Sequence, residues 1–261
     1  MQSQNEPPVE ANPDQDGQTV EIDLSSITSL DLTSFQLPDL DPVELPPNLI
    51  DLDLTTNRLS KLDSRIANLI NLIKLSFRQN LFNDAAIEPI SSWESLAGLE
   101  VMENLQNFTN LQELWLGRNR IKVINLCGLS CIKKISLQSN RLTSMIGLEE
   151  CNALEEIYLS HNGIAKTEGL LKLVNLRVLD VSSNKLTSVD DIQNLTRLED
   201  LWLNDNRIES LEDIAEGVSG SREKLTTIYL ENNPCAQSPN YNATLKQIFP
   251  NIQQIDSEVF A

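Results

Sequence analysis

The chain has 261 residues, with 20 Lys+Arg against 38 Asp+Glu, so its formal net charge is −18. So acidic a balance excludes a nucleic-acid phosphate backbone as the primary partner, because that binding needs clustered cations. A hydrophobic content of 40% with only 9 Gly suits a folded chain rather than a disordered one, and no apolar run approaches the roughly 18 residues of a membrane span.

Charge is unevenly spread. Twelve acidic residues and no Lys or Arg precede Arg58, which leaves 26 acids against 20 bases, a net −6, in the rest of the chain. Residues 1–21 are low in apolar side chains and carry a single sign of charge, so they read as a disordered acidic tail. The stretch Met1 to Val20 has no basic residue, and no secretory signal is expected there.

From residue 22 onward a pattern recurs: Leu-x-x-Leu-x-Leu-x-x-Asn-x-Leu, with apolar substitutes. A degenerate first copy holds Ile27, Leu30, Leu32 and Leu37, with Phe35 where Asn is expected. The next is Leu49, Leu52, Leu54, Asn57 and Leu59, followed by Leu72, Leu75, Phe77, Asn80 and Phe82. Six more copies centre on Asn119, Asn140, Asn162, Asn184, Asn206 and Asn233. This is the leucine-rich repeat. Steps of 21 to 23 residues hold one strand, one turn and a compact return, and each coil must stack on its neighbours to bury its apolar face. The Asn amide both donates and accepts, so it is expected to bond backbone groups in the turn between coils. Return-segment pairs three apart (Leu126 and Leu129, Leu148 and Cys151, Leu170 and Leu173, Ile192 and Leu195) predict 3₁₀ turns or single helical turns.

One interval breaks the pattern. Asn80 to Asn119 spans 39 residues, one repeat of 22 plus 17. Met102, Leu105, Phe108 and Leu111 form a return segment; Trp93, Leu96 and Leu99 resemble another with no good strand after it. A non-integral deletion in a longer array is the simplest reading, with an irregular join near 83–104, and Asp84 to Glu103 is expected to be the least regular stretch. Residues 22–230 are thus the repeat domain and 231–261 a cap. In the cap, Tyr241, Leu245, Ile248 and Phe249 fall at helical spacing, Pro250 ends the helix, and Ile252 and Ile255 cover the remaining edge. The fold class is α/β: a solenoid with a parallel concave sheet, short 3₁₀ or helical convex segments and a helical C-terminal cap.

Alternate strand residues face opposite ways, so the position between the second and third Leu faces out of the concave sheet. It reads Asp31, Asp53, Ser76, Trp115, Ser136, Tyr158, Asp180, Trp202 and Tyr229. Two residues earlier, on the same face, stand Ser29, Asp51, Lys74, Glu113, Lys134, Glu156, Val178, Asp200 and Thr227. Scaffold needs do not place large rings there, whereas protein-binding faces use aromatics as anchors. Trp115, Tyr158, Asp180, Asp200, Trp202, Tyr229, Glu113 and Glu156 are therefore the candidate partner-binding residues. Catalysis has little support: His161, the one histidine, sits in a turn with no nucleophile beside it. Cys127, Cys131, Cys151 and Cys235 read as reduced thiols with neither a disulfide framework nor the second ligand pair of a zinc site. No cofactor or metal is expected.

The repeats, the phrases Leu114-Trp115-Leu116-Gly117-Arg118-Asn119, Ser160-His161-Asn162-Gly163-Ile164 and Trp202-Leu203-Asn204-Asp205-Asn206, and the cap from Leu230-Glu231-Asn232-Asn233-Pro234 to Ile255-Asp256 resemble the leucine-rich-repeat regulatory subunits of protein phosphatase 1. The resemblance runs from about Ile22 to Phe260. Repeat and cap alone also fit nuclear adaptors of the same class, spliceosomal or chromatin-associated, and that alternative stays open. The resemblance implies a non-catalytic scaffold that binds the phosphatase catalytic subunit on its concave face, with or without a further inhibitory subunit. It carries over contact roles to Trp115, Asp200, Trp202 and Tyr229. It also implies residence in nucleus and cytoplasm, no nucleic-acid or membrane partner, and a monomer outside the complex. Relatives carry about a dozen repeats, so this chain would be a shortened form.

Overall fold

The computed structural model describes residues 23–82, 110–124, 126 and 129–260. The acidic tail, the join near 83–104 with Trp93, and Cys127 lie outside the described residues.

Among the described residues, one sheet of eleven strands runs in sequence order. Its strands are β1 Ser29–Asp31, β2 Asp51–Asp53, β3 Lys74–Ser76, β4 Glu113–Trp115, β5 Lys134–Ser136, β6 Glu156–Tyr158, β7 Val178–Asp180, β8 Asp200–Trp202, β9 Thr227–Tyr229, β10 Gln254–Ile255 and β11 Glu258–Val259. β1 to β10 pair in parallel, and β11 returns antiparallel on β10. Register is locked by repeat position: Leu30, Leu52, Leu75, Leu114, Ile135, Ile157, Leu179, Leu201 and Ile228 align side by side. From Leu52 onward these residues are buried. A one-residue slip would turn each of them out of the core, so the apolar ladder itself specifies the register.

The asparagines form a second ladder. Each side-chain amide donates to the carbonyl three residues back and to its counterpart one coil earlier; Asn162 bonds Leu159 O at 2.9 Å and Leu137 O at 3.0 Å. Each side-chain oxygen accepts an N–H from the preceding coil, from Leu37 to Asn57 through to Ile208 to Asn233. Peptide groups that a tight buried turn would leave unpaired are thereby satisfied. The turn also needs a left-handed residue just before each asparagine. Thr56, Gln79, Arg118, Ser139, His161, Ser183, Asp205 and Asn232 all have φ between 51° and 61°. In the first coil the expected Asn position holds Phe35, which is 64% exposed, and no amide ladder starts there.

Both ladders cross the irregular interval without a gap. β3 pairs directly with β4, Phe82 N donates to Asn119 Oδ1 at 3.1 Å, and Asn119 Nδ2 donates to Phe77 O at 2.9 Å. No strand therefore stands between β3 and β4 in the sheet.

Return segments close through backbone bonds spanning three residues, Cys151 N to Leu148 O, Leu173 N to Leu170 O and Leu195 N to Ile192 O, as their spacing predicts. One coil departs: the 27-residue step from Asn206 to Asn233 contains a helix, Leu211–Gly217, capped by Ser210. At the C-terminus the helix Tyr241–Ile248 buries Leu245, Ile248 and the following Phe249 over the last coil. Ile255 is buried as the middle of the sheet's continuation in β10. Asp256 then takes over the asparagine's work, accepting from Leu230 N at 2.7 Å and Glu231 N at 2.9 Å.

Candidate functional site on the concave face

The strands place their outward residues in register across the sheet, so Ser76, Trp115, Ser136, Tyr158, Asp180, Trp202 and Tyr229 form one row. Large and small side chains alternate along part of it, and the rings use that space. Trp115 leans across Ser136 to stack on Tyr158, with centroids 6.4 Å apart and planes 17° from parallel. Ser136 lies fully buried beneath them. Trp202 packs edge-on against Tyr229 at 5.4 Å. The four rings are half-buried and stand on the face opposite the leucine ladder. They pack on one another and still present a surface.

Their polar ends are mostly held. Trp115 Nε1 donates to Glu113 at 3.3 Å, Tyr158 Oη donates to Glu156 at 2.8 Å, and Gln254 donates to Tyr229 Oη at 2.6 Å. Lys134 Nζ lies 2.9 Å from Glu156. Burial raises the Glu156 pKa, but hydrogen bonds from Lys134 and Tyr158 outweigh it and hold the carboxyl below its ordinary range. Burial, then the Glu156 bond and nearby Asp180 and Asp200, push the Tyr158 phenol well above its ordinary value. Trp202 differs: its Nε1 is buried and has no hydrogen-bond acceptor among the described residues.

One candidate has a different place from the one its sequence position suggests. Asp180 is 1% exposed. It is flanked in register by Tyr158 and Trp202. Its carboxylate accepts from Ser182 N at 3.0 Å, Ser182 Oγ at 2.6 Å and Gln138 Nε2 at 3.1 Å. It braces the turn and offers no open surface. Asp31 and Asp53 make the same local bond to Thr33 N and Thr55 N, both at 2.8 Å. The sequence signal was Asp-x-Ser/Thr at the strand end, a side chain bonding the backbone two residues on. Gln138 and Gln254, which hold Asp180 and Tyr229, lie outside the repeat pattern and are visible only in the structure. Asp200, Glu113 and Glu156 stay half-exposed beside the rings. His161 is an exposed turn residue.

Comparison with known proteins agrees with this architecture. A model of leucine-rich repeats in two copies matches residues 152–194 and 174–216. A solved leucine-rich-repeat protein from Leptospira interrogans superposes with a TM-score of 0.65 at 26% identity; the match covers 88% of this chain, which spans 61% of that one. An internalin C2 from Listeria monocytogenes gives a TM-score of 0.58 at 25% identity, covering 74% of this chain and 78% of its own. The Arabidopsis thaliana protein named protein phosphatase 1 regulatory inhibitor subunit PPP1R7 homolog is 55% identical over 309 residues, covering 89% of this chain and 94% of that protein. Since 89% of 261 residues is about 232, about 77 of those aligned positions face gaps in this chain. That agrees with a shortened array. With such identity over nearly its whole length, this chain belongs to the protein phosphatase 1 regulatory subunit family of leucine-rich-repeat proteins.

Proposed function

We propose that the chain is a non-catalytic regulatory subunit whose concave face grips the catalytic subunit of a Ser/Thr protein phosphatase 1. The observation that carries this is the half-exposed ring row Trp115, Tyr158, Trp202 and Tyr229, on a face where the scaffold asks for nothing larger than serine. Buried rings with carboxylates alongside are what protein interfaces use as anchors. Glu113, Glu156 and Asp200 give the face a negative field that favours a basic or arginine-rich patch on the partner. The orphaned Trp202 N–H supports the same reading, because a buried donor without an acceptor is costly and a docked partner can supply one after a small ring rotation. The family of the chain fixes which partner to test first.

Isothermal titration of the full chain with the phosphatase catalytic subunit is the test. Trp202→Ala should weaken binding by about 2 kcal/mol or more, roughly thirtyfold. Asp180→Asn should change it far less, because that carboxylate does not reach the surface. Equal affinity for wild type and Trp202→Ala, or capture of spliceosomal or histone proteins instead, would overturn the assignment. Residence in both nucleus and cytoplasm goes with this reading and is checked by imaging a tagged chain.

A further inference from the structure

The strand-exit turns after β2 to β7, on the rim of the solenoid next to the concave face, carry charge of the opposite sign to the chain as a whole, whereas the turn after β8 holds Asp205 and Glu209 beside Arg207. Turns 55–61, 77–82, 117–123, 138–144, 160–166 and 182–188 hold nine Lys and Arg and no Asp or Glu, in a chain of net charge −18. Because β2 to β7 are parallel and in register, these turns line up along a single rim. The row includes Arg58, Arg78, Arg118, Arg120, Arg141 and Lys185, all exposed. The six ion pairs of the described residues lie outside these turns: Lys74 with Asp51 and Lys134 with Glu156 on the concave face, Lys133 with Glu155 and Arg177 with Glu199 on the strand-entry rim, and Arg65 with Asp63 and Lys172 with Glu150 in return segments. The same scaffold thus pairs cations with carboxylates on one rim, whereas on the other Arg58, Arg78, Arg118, Arg120, Arg141 and Lys185 have no carboxylate within ion-pair distance among the described residues. Where the sixth coil has Gly163 in place of a cation, Lys185 leans across, its Nζ 3.8 Å from the point a β-carbon there would occupy. Arg78 Nε stands likewise 3.8 Å from the β-carbon point of Gly117.

We infer that this rim is a docking strip for an acidic, extended polypeptide segment of a partner protein. Six coils at about 4.8 Å each give a strip of roughly 24 Å, the length of about seven residues of extended chain. Several weak charge contacts along such a strip sum to useful affinity, and all of them are screened by salt. A second copy of this chain presents the same cations on its own rim and is repelled there. Nucleic acid fits less well: these turns show no exposed Phe, Tyr or Trp to stack a base, and the adjoining concave face bears Asp31, Asp51 and Asp53. The strip is separate from the ring row, and its test uses a peptide rather than a phosphatase, so either reading can fail without the other.

The test is fluorescence anisotropy of a labelled Glu- and Asp-rich peptide titrated with the full chain. Binding should weaken at least about tenfold between low and physiological salt. It should also weaken at least tenfold in Arg120→Glu/Arg141→Glu/Lys185→Glu, whose exposed, unpaired positions keep the fold intact by circular dichroism. Lys172→Glu/Arg197→Glu/Lys224→Glu, with the same change in net charge placed off the rim, should bind nearly as wild type. Four results would overturn the inference: no binding by the full chain, which includes capture of the strip by its own acidic residues 1–21; equal loss in both triple variants; equal affinity for a Gln-substituted peptide; or displacement of the peptide by far less single-stranded oligonucleotide than unlabelled peptide.

Discussion

Replacing Asn184 by alanine probes the amide ladder where it is fully enclosed. Asn184 Oδ1 accepts from Ile164 N at 3.0 Å, and its Nδ2 donates to Leu159 O and Val181 O, each at 3.1 Å. The two carbonyls keep another partner in the variant, since Asn162 also bonds Leu159 O and Asn206 also bonds Val181 O. The Ile164 N–H keeps none. An orphaned buried donor costs about 1–3 kcal/mol and each weakened carbonyl about 0.5 kcal/mol more, so a loss of about 2–4 kcal/mol is expected. Asn204→Ala is the control, because that amide reaches only the exposed Asp205 carboxylate at 2.7 Å, and it should cost less than about 0.5 kcal/mol. Urea unfolding followed by circular dichroism and by tryptophan fluorescence measures both. A loss below about 1 kcal/mol for Asn184→Ala, or one matching the control, would refute the claim that the ladder holds the turns together.

Other outcomes follow from the same geometry. Thr56 is β-branched yet sits at φ 58°, so Thr56→Gly should raise stability by about 0.5–1 kcal/mol in the same urea assay, against the usual cost of glycine. Tyr158 keeps its proton in the folded state above the ordinary phenol range of about 10, because of burial and the Glu156 bond. Its contribution to stability is therefore full below that range and is lost as pH rises through the raised folded value. Ultraviolet titration of phenolate should show Tyr158 ionising at lower pH in Glu156→Gln than in wild type, though still above a free phenol. Glu156 itself is held low, so its share of stability is present above the ordinary carboxyl range and fades as pH falls through its lowered value. Lys134→Met should shrink that acid-side loss.

Much of this structure is legible in the residues because repeat position dictates environment. Asn57 and Leu59 announce a turn and a core residue, and 23 residues on Asn80 and Phe82 repeat the statement with the same geometry. The capping helix is equally readable, since Leu245, Ile248 and Phe249 must cover a coil that nothing follows. Departures from the period are less legible. The coil that holds the helix Leu211–Gly217 is 27 residues long, five more than a 22-residue step, and length alone does not say whether such an excess winds or loops. β11 pairs through backbone groups, which leave no signature in side chains. The ring row was visible in the alternation of strand residues, but the burial of Asp180 was not: it depends on Gln138, two coils away and 42 residues distant, and on how far its aromatic neighbours lean. The cationic rim emerges only when separate turns are set side by side in register.

Radical footprinting of the ring row, with and without the phosphatase catalytic subunit, reads out whether the partner docks on the concave face. Trp115, Tyr158, Trp202 and Tyr229 are half-exposed in the free chain and should each lose most of their oxidation in the complex, while Phe35, on the outside of the first coil, should react unchanged. A tight complex in which the four rings oxidise as readily as before would place the phosphatase elsewhere on the solenoid and contradict the account.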